Sequence, residues 1–322
     1  MAVAPIRTLE LDASSVPSPA PTDGLHVDDE AFVEAAAQLA SAFPADLRDA
    51  LLAFAADPGP AGALLVRNVP TGDIPSTPPT PTSPTTKDRR SEELLLAVAR
   101  ALGEPVGYLP EHGGSIVQNL VPTQADVGRQ TSTSSGVDLA FHTETAFHPH
   151  GPRYLLLLCL RGDPAAATTL ASIDDLLPAL APETVEALRR PAFRTAVDES
   201  FGGRPGVPYG PARPVLGGSD DEPWLCWDEE LTTGDTDAAR AALVELRSAV
   251  ARRRRELVLA DGDLLVVDNR RCVHGRRPFD ARFDGTDRWL QRTFVVESLA
   301  PSADERVGRI ITTTFADAAT AA

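Results

Sequence analysis

The sequence is poor in cysteine, lysine and methionine, and it has no long apolar run. Its 322 residues contain three cysteines, one methionine and a single lysine, Lys87. An odd number of cysteines in apolar stretches argues against a disulfide framework and favours buried thiols, so we expect a cytoplasmic protein. No apolar stretch reaches the length of a membrane span and the N-terminus lacks a signal-peptide pattern, so we expect no membrane partner.

Positive charge is scarce as well. Asp and Glu number 46 against 30 Lys and Arg, which gives a formal net charge of −16. This charge argues against nucleic acids and anionic membranes as partners. The hydrophobic fraction of 43% supports a sizeable core, and the length suits one large domain. We therefore expect a small-molecule substrate, while the sequence leaves the oligomeric state open.

Most of the chain reads as strands and turns with helices between them. Strand-like runs separated by turns predict an all-β barrel or jelly roll with the helices packed outside. We expect one domain over residues 1–322, with an extended leader at 1–27. A segment rich in proline and threonine at 70–90 is either a lid or a disordered loop. Helices are expected over 28–56 with a break near Pro44, over 91–102 with Ser91 as N-cap, over 174–189 and over 237–254.

Histidine is rare, and its placement predicts a metal site. His142 and Glu144 end a strand-like segment, and their period-2 spacing puts both side chains on one side. A second apolar segment, 263–274, reads as a buried strand that runs into a turn at His274. Two imidazoles and one carboxylate can occupy one face of an octahedron and leave the other open. That ligand set is typical of non-haem Fe(II) oxygenases.

Two arginines follow the distal histidine on another strand-like segment. Arg288 lies fourteen residues after His274, and Arg292 follows four residues later, on the same face of that strand. A planar, permanently charged guanidinium binds a carboxylate through two parallel hydrogen bonds, which lysine cannot reproduce. We therefore expect Arg288 to bind the far carboxylate of a 2-oxoacid.

Two alternatives remain for the metal site. A zinc hydrolase could recruit His148 and His150, but the His-Glu-x-x-His spacing is absent and Pro149 disfavours a helix there. These two histidines are better explained as loop residues near the site. A jelly-roll protein that only binds ligands is the other alternative, and it would not need both the metal triad and an arginine.

Several motifs together resemble a known family, the clavaminate synthase-like branch of Fe(II)/2-oxoglutarate dioxygenases. This branch includes β-hydroxylases of free arginine and asparagine, and the similarity runs from about residue 95 to the end. The matching motifs are Phe141-His142-Thr143-Glu144-x-Ala146-Phe147-His148, Pro152-x-Tyr154, the run 155–160, Ala167-Thr168-Thr169-Leu170-Ala171-Ser172, Asp261-Gly262-Asp263, Asp268-Asn269, His274-Gly275-Arg276 and Arg288-Trp289-Leu290-Gln291-Arg292.

The resemblance implies a double-stranded β-helix (jelly roll), Fe(II) as metal, and 2-oxoglutarate and O2 as cosubstrates. It implies His142, Glu144 and His274 as iron ligands and Arg288 as the residue that binds 2-oxoglutarate. Thr168 and Arg292 would assist Arg288, although a shorter loop leaves the choice between Thr168 and Thr169 open.

The implied activity is hydroxylation of an unactivated carbon of a free amino acid or an amino-acid derivative. Secondary metabolism, such as antibiotic biosynthesis, is the expected setting. Desaturation or ring formation is the alternative within the family. Glu144 argues against halogenation, because a halogenase would need a small residue at that position.

The resemblance also suggests where the substrate binds. It implies that Glu144 contacts the substrate amine, and an acidic residue near the pocket would suit a basic or amino-bearing substrate. Of the acidic segments, Asp228 is the better candidate, and 220–222 is more simply explained as a solvated loop. The expected substrate-binding residues are Gln118, Asn119, Ser132, Glu144 and Asp228.

Overall fold

The computed structural model describes residues 3–18, 22, 24–203 and 208–315. Pro44 separates the first two helices, as expected, and α3 and α6 also lie where their patterns predict. The helices in this part of the chain are α1 (Glu30–Ser41), α2 (Ala45–Ala56), α3 (Arg90–Leu102), α4 (Ile173–Leu176), α5 (Pro182–Leu188) and α6 (Asp237–Arg253).

Strands make up most of the remaining regular structure. They are β1 (Arg7–Glu10), β2 (Ala63–Arg67), β3 (Glu104–Tyr108), β4 (Gln118–Leu120), β5 (Leu139–His142), β6 (Tyr154–Arg161), β7 (Thr168–Ser172), β8 (Phe193–Ala196), β9 (Pro208–Arg213), β10 (Leu216–Gly218), β11 (Pro223–Leu225), β12 (Thr232–Gly234), β13 (Arg255–Leu257), β14 (Leu264–Asp268), β15 (Cys272–Arg276), β16 (Trp289–Val296), β17 (Arg306–Val307) and β18 (Ile310–Ile311).

The main sheet has nine strands, in the order β1-β2-β14-β6-β16-β3-β18-β17, with β4 pairing β16 off this path. Its central strand β6 is apolar on both faces, because both faces are covered. Leu155 and Leu157 contribute to the cluster between the sheets, and Leu156 and Leu158 pack against α1 and α3. The period-2 alternation of a strand therefore distributes one leucine run between two cores.

A second sheet of four strands, in the order β13-β7-β15-β5, closes the barrel. Leu170 of β7 and Cys272 of β15 share a buried cluster with Leu65 and Leu265 of the main sheet. The two sheets therefore pack face to face around a common core, as in the expected jelly roll. The predicted fold class is confirmed.

Two helix predictions need correction. The single helix expected over 174–189 is two helices, α4 and α5, because Pro182 occupies the first turn of a new helix. Ser91 is not an N-cap: it lies inside α3, where Arg89 takes the capping position without a side-chain bond. The hydroxyl of Ser91 instead contacts Lys87 and Glu92.

The strand expected over 263–274 is also two strands. β14 and β15 are separated by a turn at residues 269–271, so His274 lies in the middle of β15 and not at the edge of a turn. The leader contains β1, which pairs in parallel with β2 at the edge of the main sheet; residues 1, 2, 19–21 and 23 of that leader lie outside the described residues. No helix in the described ranges is long and apolar enough to cross a membrane.

Candidate metal centre and cosubstrate pocket

His142, Glu144 and His274 meet at one end of the barrel. β15 pairs with β5 so that His274 lies directly opposite His142, and their ring centroids are 4.3 Å apart. Glu144 Oε1 lies 3.2 Å from His274 Nε2 and 4.0 Å from His142 Nε2. One ligand atom from each residue lies within 4.8 Å of the other two, so the three could hold one metal ion.

Hydrogen bonds from neighbouring residues orient the donor atoms of the triad for a metal ion. The Nδ1 of His142 lies 2.9 Å from the Ala140 carbonyl oxygen. Because a carbonyl only accepts, Nδ1 carries the proton and Nε2 presents its lone pair to the site. Asn269 holds the backbone of Glu144 from both sides: its Oδ1 accepts from the Glu144 amide at 2.8 Å and its Nδ2 donates to the Glu144 carbonyl at 3.2 Å.

The carboxylate of Glu144 is both buried and ionised. Burial acts to raise its pKa, but Arg292 and the two imidazoles outweigh that effect and hold the pKa of the carboxyl well below its ordinary value. Arg292 Nη1 lies 3.3 Å from Glu144 Oε1. The same guanidinium pairs with Glu111 and donates from Nε to Gln118 Oε1 at 2.9 Å.

Arg288 forms a separate cationic site farther along the barrel. Its side chain is buried and donates from Nη2 to Thr168 Oγ1 at 3.1 Å. Within the described residues no carboxylate forms an ion pair with this guanidinium, and burial lowers its pKa. A buried guanidinium without a carboxylate partner is a site for an anionic ligand. The contact also decides between the two threonines: Thr168, and not Thr169, adjoins Arg288.

Arg276 is a second buried arginine of this region, which the sequence did not single out for a role. Burial, and then the neighbouring Arg288, lower its pKa to about 10. It donates to Ser134 Oγ at 2.7 Å, to the Ser135 carbonyl at 3.4 Å and to the Arg277 carbonyl at 3.0 Å. Arg276 therefore fastens the segment before β5 to β15.

The metal triad, Glu111, Thr168, Arg276, Arg288 and Arg292 line one cavity of about 480 Å³. Ser132 and Asp228 line it, as expected for substrate-binding residues. Asp228 forms an isolated bridge with His142, and its Oδ1 accepts from the amides of Glu230 and Leu231 at 2.9 and 2.8 Å. Burial raises the pKa of this carboxyl. The segment at 220–222 is exposed and does not line the cavity, as expected for a solvated loop.

Two loops form the mouth of the cavity. Residues 129–133 belong to one and residues 198–201 to the other. Arg129 connects the two loops: its guanidinium lies 3.3 Å from Asp126, near its own loop, and 3.0 Å from Glu199 of the other. The Pro/Thr-rich segment 70–90 has a defined course behind β16 and contributes no residue to the cavity lining, so the structure does not support it as a lid.

Three of the predicted ligand-binding residues have partners other than those expected. Arg292 was expected to assist Arg288, but four residues of strand separate the two arginines by about 13 Å, and the partners of Arg292 are Glu111, Gln118 and Glu144. Neither Gln118 nor Asn119 lines the cavity. Successive residues of β4 face opposite sides, so Gln118 reaches Arg292 while Asn119 points to the rear of β16.

Glu111 and Asn269 also contribute to the site, although the sequence did not predict a role for either residue. Glu111 precedes a turn in which His112 has a positive φ of 48°, a conformation that marks a special backbone position. His112 lines the cavity, and burial, with a smaller effect of Arg292, lowers its pKa to about 4. Asn269 belongs to the Asp268-Asn269 motif, but only the fold brings it to Glu144. His148 and His150 belong to an aromatic cluster with Tyr108 and not to the metal triad.

Comparison with known proteins decides the family. Residues 62–294 match the family described as taurine catabolism dioxygenase TauD, TfdA family. The chain belongs to this family. It is 42% identical over 285 residues to the L-asparagine oxygenase of Streptomyces coelicolor, which covers 85% of this chain and 83% of that protein. It is 38% identical over 295 residues to the L-lysine 3-hydroxylase of Catenulispora acidiphila, covering 87% of this chain and 81% of that protein.

A solved structure is similar over nearly the whole chain. It is asparagine oxygenase in complex with Fe(II), 2S,3S-3-hydroxyasparagine and succinate, with a TM-score of 0.89 and 38% identity over 95% of this chain and 99% of that one. The predicted resemblance is therefore confirmed, and this member of the TauD, TfdA family is an Fe(II)/2-oxoglutarate-dependent dioxygenase. Fe(II), 2-oxoglutarate and O2 are its metal and cosubstrates. The zinc hydrolase and the non-catalytic binding protein are not supported.

Proposed function

We propose that this dioxygenase hydroxylates an unactivated carbon of a free L-amino acid. The main support is the environment of Arg292. Its buried guanidinium pairs with the carboxylate of Glu111 and with that of Glu144, which belongs to the metal triad. An α-amino acid carries one carboxylate and one ammonium, so it complements a site with a cation and anions side by side. The similarity to amino-acid oxygenases supports the same conclusion.

His142, Glu144 and His274 would hold Fe(II). The donor set fits the metal, because the tautomer of His142 is fixed, Glu144 is ionised and all three donor atoms converge. Iron, when bound with 2-oxoglutarate and O2, supplies the oxidising power that removes a hydrogen atom from an unactivated carbon. Since Glu144 fills the carboxylate position of the triad, the set supports hydroxylation and not halogenation.

Arg288 and Thr168 would bind the distal carboxylate of 2-oxoglutarate. A guanidinium fork and a hydroxyl provide three donors that converge on one carboxylate. Leu290 and Leu157 line the space between this pair and the triad, so the carbon chain of the cosubstrate would lie against apolar surface. These residues orient the cosubstrate and exclude water from its distal end.

The amino acid would bind on the other side of the triad. Arg292 would receive its α-carboxylate, with Gln118 holding the guanidinium in place, and Glu111 and Glu144 would receive its ammonium. Asp228 has a carboxylate at the cavity wall opposite His142, which favours a side chain that ends in a hydrogen-bond donor, such as an amide or an ammonium group. Ser132 at the mouth would contact the same side chain.

The cellular setting follows from the same features. The three cysteines are free thiols, and Cys159 and Cys272 are buried, which supports a reducing compartment such as the cytoplasm. Both β1 and β18 belong to the main sheet, which supports one catalytic domain over residues 1–322. The product, a hydroxylated free amino acid, would serve secondary metabolism, for example as a modified residue of an antibiotic.

The test is anaerobic reconstitution with Fe(II) and 2-oxoglutarate, followed by admission of O2 in the presence of single L-amino acids. Succinate release together with a mass gain of one oxygen in asparagine, lysine or another amino acid is the expected result; loss of two hydrogens would identify desaturation instead. The His142→Ala variant should lose substrate-dependent succinate formation, and the matched Asp220→Asn variant, at an exposed acid outside the cavity, should retain it. Undiminished succinate formation by His142→Ala would refute the site.

A further inference from the structure

The only lysine of the chain is buried in an ion pair on the rear side of the site. Lys87 Nζ lies 2.6 Å from Glu92 Oε2, and the two side chains are only 1% and 6% exposed. The ammonium also donates to Ser91 Oγ at 2.7 Å and to the Asp88 carbonyl at 2.8 Å, so all three of its protons are used. A buried ion pair adds little net stability, because desolvation offsets the attraction. Its role must therefore be sought in what it positions.

The ion pair continues directly to strand β16. Gln291 is 0% exposed and donates from Nε2 to Glu92 Oε1 at 2.8 Å and to Asn119 Oδ1 at 3.3 Å. Asn119 Oδ1 also accepts from Trp289 Nε1 at 2.8 Å. The indole only donates and the carboxylate only accepts, so the orientation of both amides is fixed by chemistry. These hydrogen bonds form a network with one fixed set of donors and acceptors. We call it the rear network, and it consists of Lys87, Glu92, Gln291, Asn119 and Trp289.

The rear network lies on one face of β16 and the cavity on the other. Trp289 and Gln291 face α3, and the alternate residues Arg288, Leu290 and Arg292 line the cavity. A polar residue in the middle of a buried strand is costly unless it is hydrogen-bonded. Gln291 satisfies its donors on Glu92 and Asn119, so the network ties the strand between the two cavity arginines to α3 and β4.

The Pro/Thr-rich segment supplies the outer wall of this network. Asn119 Nδ2 donates to Ser83 Oγ at 2.8 Å and to the Pro81 carbonyl at 3.3 Å. Thr77 Oγ1 donates to the carbonyl of Asp287, the residue before Arg288, at 2.5 Å. The segment therefore contacts the chain just before Arg288 directly, and it reaches the middle of β16 through Asn119 of β4.

We propose that Lys87, Glu92 and Gln291 are positioning residues for Arg288 and Arg292. The network holds both guanidiniums at the spacing that cosubstrate and amino acid require, without touching either ligand. The inference rests on the proposed roles of Arg288 and Arg292. It assigns a catalytic purpose to a segment and to a lysine that lie outside the cavity.

A double variant, Lys87→Met/Glu92→Leu, separates positioning from stability. Apolar replacement of a buried ion pair leaves stability nearly unchanged, but the loss of the Glu92 acceptor leaves one N–H of Gln291 unpaired, so the melting temperature should fall by no more than a few degrees. The strand loses its anchor, however, and displacement of a binding group by a fraction of an ångström should raise the dissociation constant of 2-oxoglutarate by about tenfold. Binding is measured by anaerobic titration of the Fe(II)-loaded protein with 2-oxoglutarate alone, followed by the absorbance of the iron–cosubstrate complex.

Three comparisons make the result decisive. Gln291→Met, which cuts the network at the strand while keeping the ion pair, should weaken 2-oxoglutarate binding to a similar degree. Arg255→Met/Asp175→Leu removes another buried ion pair, which bridges β13 and α4, and should leave the dissociation constant unchanged. Arg288→Lys tests the underlying assignment, and it should weaken 2-oxoglutarate binding directly.

The outcomes are distinguishable. Unchanged 2-oxoglutarate affinity in Lys87→Met/Glu92→Leu and in Gln291→Met, with weakened affinity in Arg288→Lys, overturns the positioning role and leaves the proposed function standing. Unchanged affinity in Arg288→Lys overturns the proposed cosubstrate site. An equal loss of affinity in the Arg255→Met/Asp175→Leu control would assign the effect to general loosening of the fold and would also overturn the positioning role.

Discussion

Arg288→Leu should lose cosubstrate binding without losing stability. Arg288 is buried, its one hydrogen-bond partner among the described side chains is Thr168, and no carboxylate in the described ranges pairs with it. In the absence of 2-oxoglutarate this charge is desolvated without compensation. Leucine removes the charge and keeps an apolar side chain against Leu290 and Leu157, which line the same space.

The magnitudes follow from the two roles of the guanidinium. Replacing a poorly compensated buried charge by an apolar group is neutral or stabilising by about 1–4 kcal/mol. For a domain of this size each kcal/mol raises the melting temperature by about 1.5 °C. Loss of two charge-assisted hydrogen bonds, at about 1.5–3 kcal/mol each, should weaken 2-oxoglutarate binding by about a hundredfold to ten-thousandfold.

Thermal unfolding with and without 2-oxoglutarate measures both effects. At a concentration one hundred times its dissociation constant, the ligand should stabilise the natural protein by about 2.7 kcal/mol, and the shift should vanish in Arg288→Leu. Arg276→Leu is the matched control, because Arg276 is equally buried but makes three hydrogen bonds to Ser134, Ser135 and Arg277; it should be destabilised. A less stable Arg288→Leu that keeps the 2-oxoglutarate shift would refute the reasoning.

Three further predictions address the substrate, the acid response and the α-carboxylate. Asp228→Asn keeps an acceptor for the amides of Glu230 and Leu231 but removes the negative charge. The KM for the amino acid should therefore rise about tenfold or more, while 2-oxoglutarate binding is unchanged. An unchanged KM would show that Asp228 does not take part in substrate recognition. Burial, and then His150, lower the pKa of His148 from 6.5 to about 3. As the pH falls below about 6.5, this residue is therefore protonated only in the unfolded chain. The free energy of unfolding should then fall by up to about 1.4 kcal/mol per pH unit. His148→Phe should flatten that dependence in urea unfolding at pH 5 and pH 7, and an identical slope would contradict it. Arg292→Lys should raise the KM for the amino acid by about tenfold or more and leave the dissociation constant of 2-oxoglutarate unchanged. Steady-state kinetics measures the first quantity and anaerobic titration the second. An unchanged KM with a raised dissociation constant would show that Arg292 binds 2-oxoglutarate instead.

The metal triad was predictable from the sequence because its information is local. A strand places His142 and Glu144 on one side through its period of two, and the rare second histidine at His274 completes a ligand set that few other arrangements explain. Arg288 was predictable from the resemblance, which implies an arginine for 2-oxoglutarate fourteen residues after the distal histidine. Even here the local geometry was incomplete, since His274 lies in the middle of β15 and not at a turn.

The substrate side was harder to predict, because a single sequence does not say which face of a strand meets a cavity. Gln118 and Asn119 are neighbours in sequence, yet one reaches Arg292 and the other belongs to the rear network. Glu111 carries no local mark of its role, and its pairing with Arg292 joins residues that are far apart in the chain.

The sequence by itself determined the chemistry of this protein: the ligand types, the arginine for an anionic cosubstrate and the strand-rich fold. The tertiary structure alone decided which groups surround each of the two arginines. Arg288 and Arg292 are alike in type and share one face of one strand, but Arg288 meets Thr168 of the facing sheet and Arg292 meets two carboxylates. The physical reason is that a guanidinium takes its role from the charges packed around it, and those charges come from distant parts of the chain.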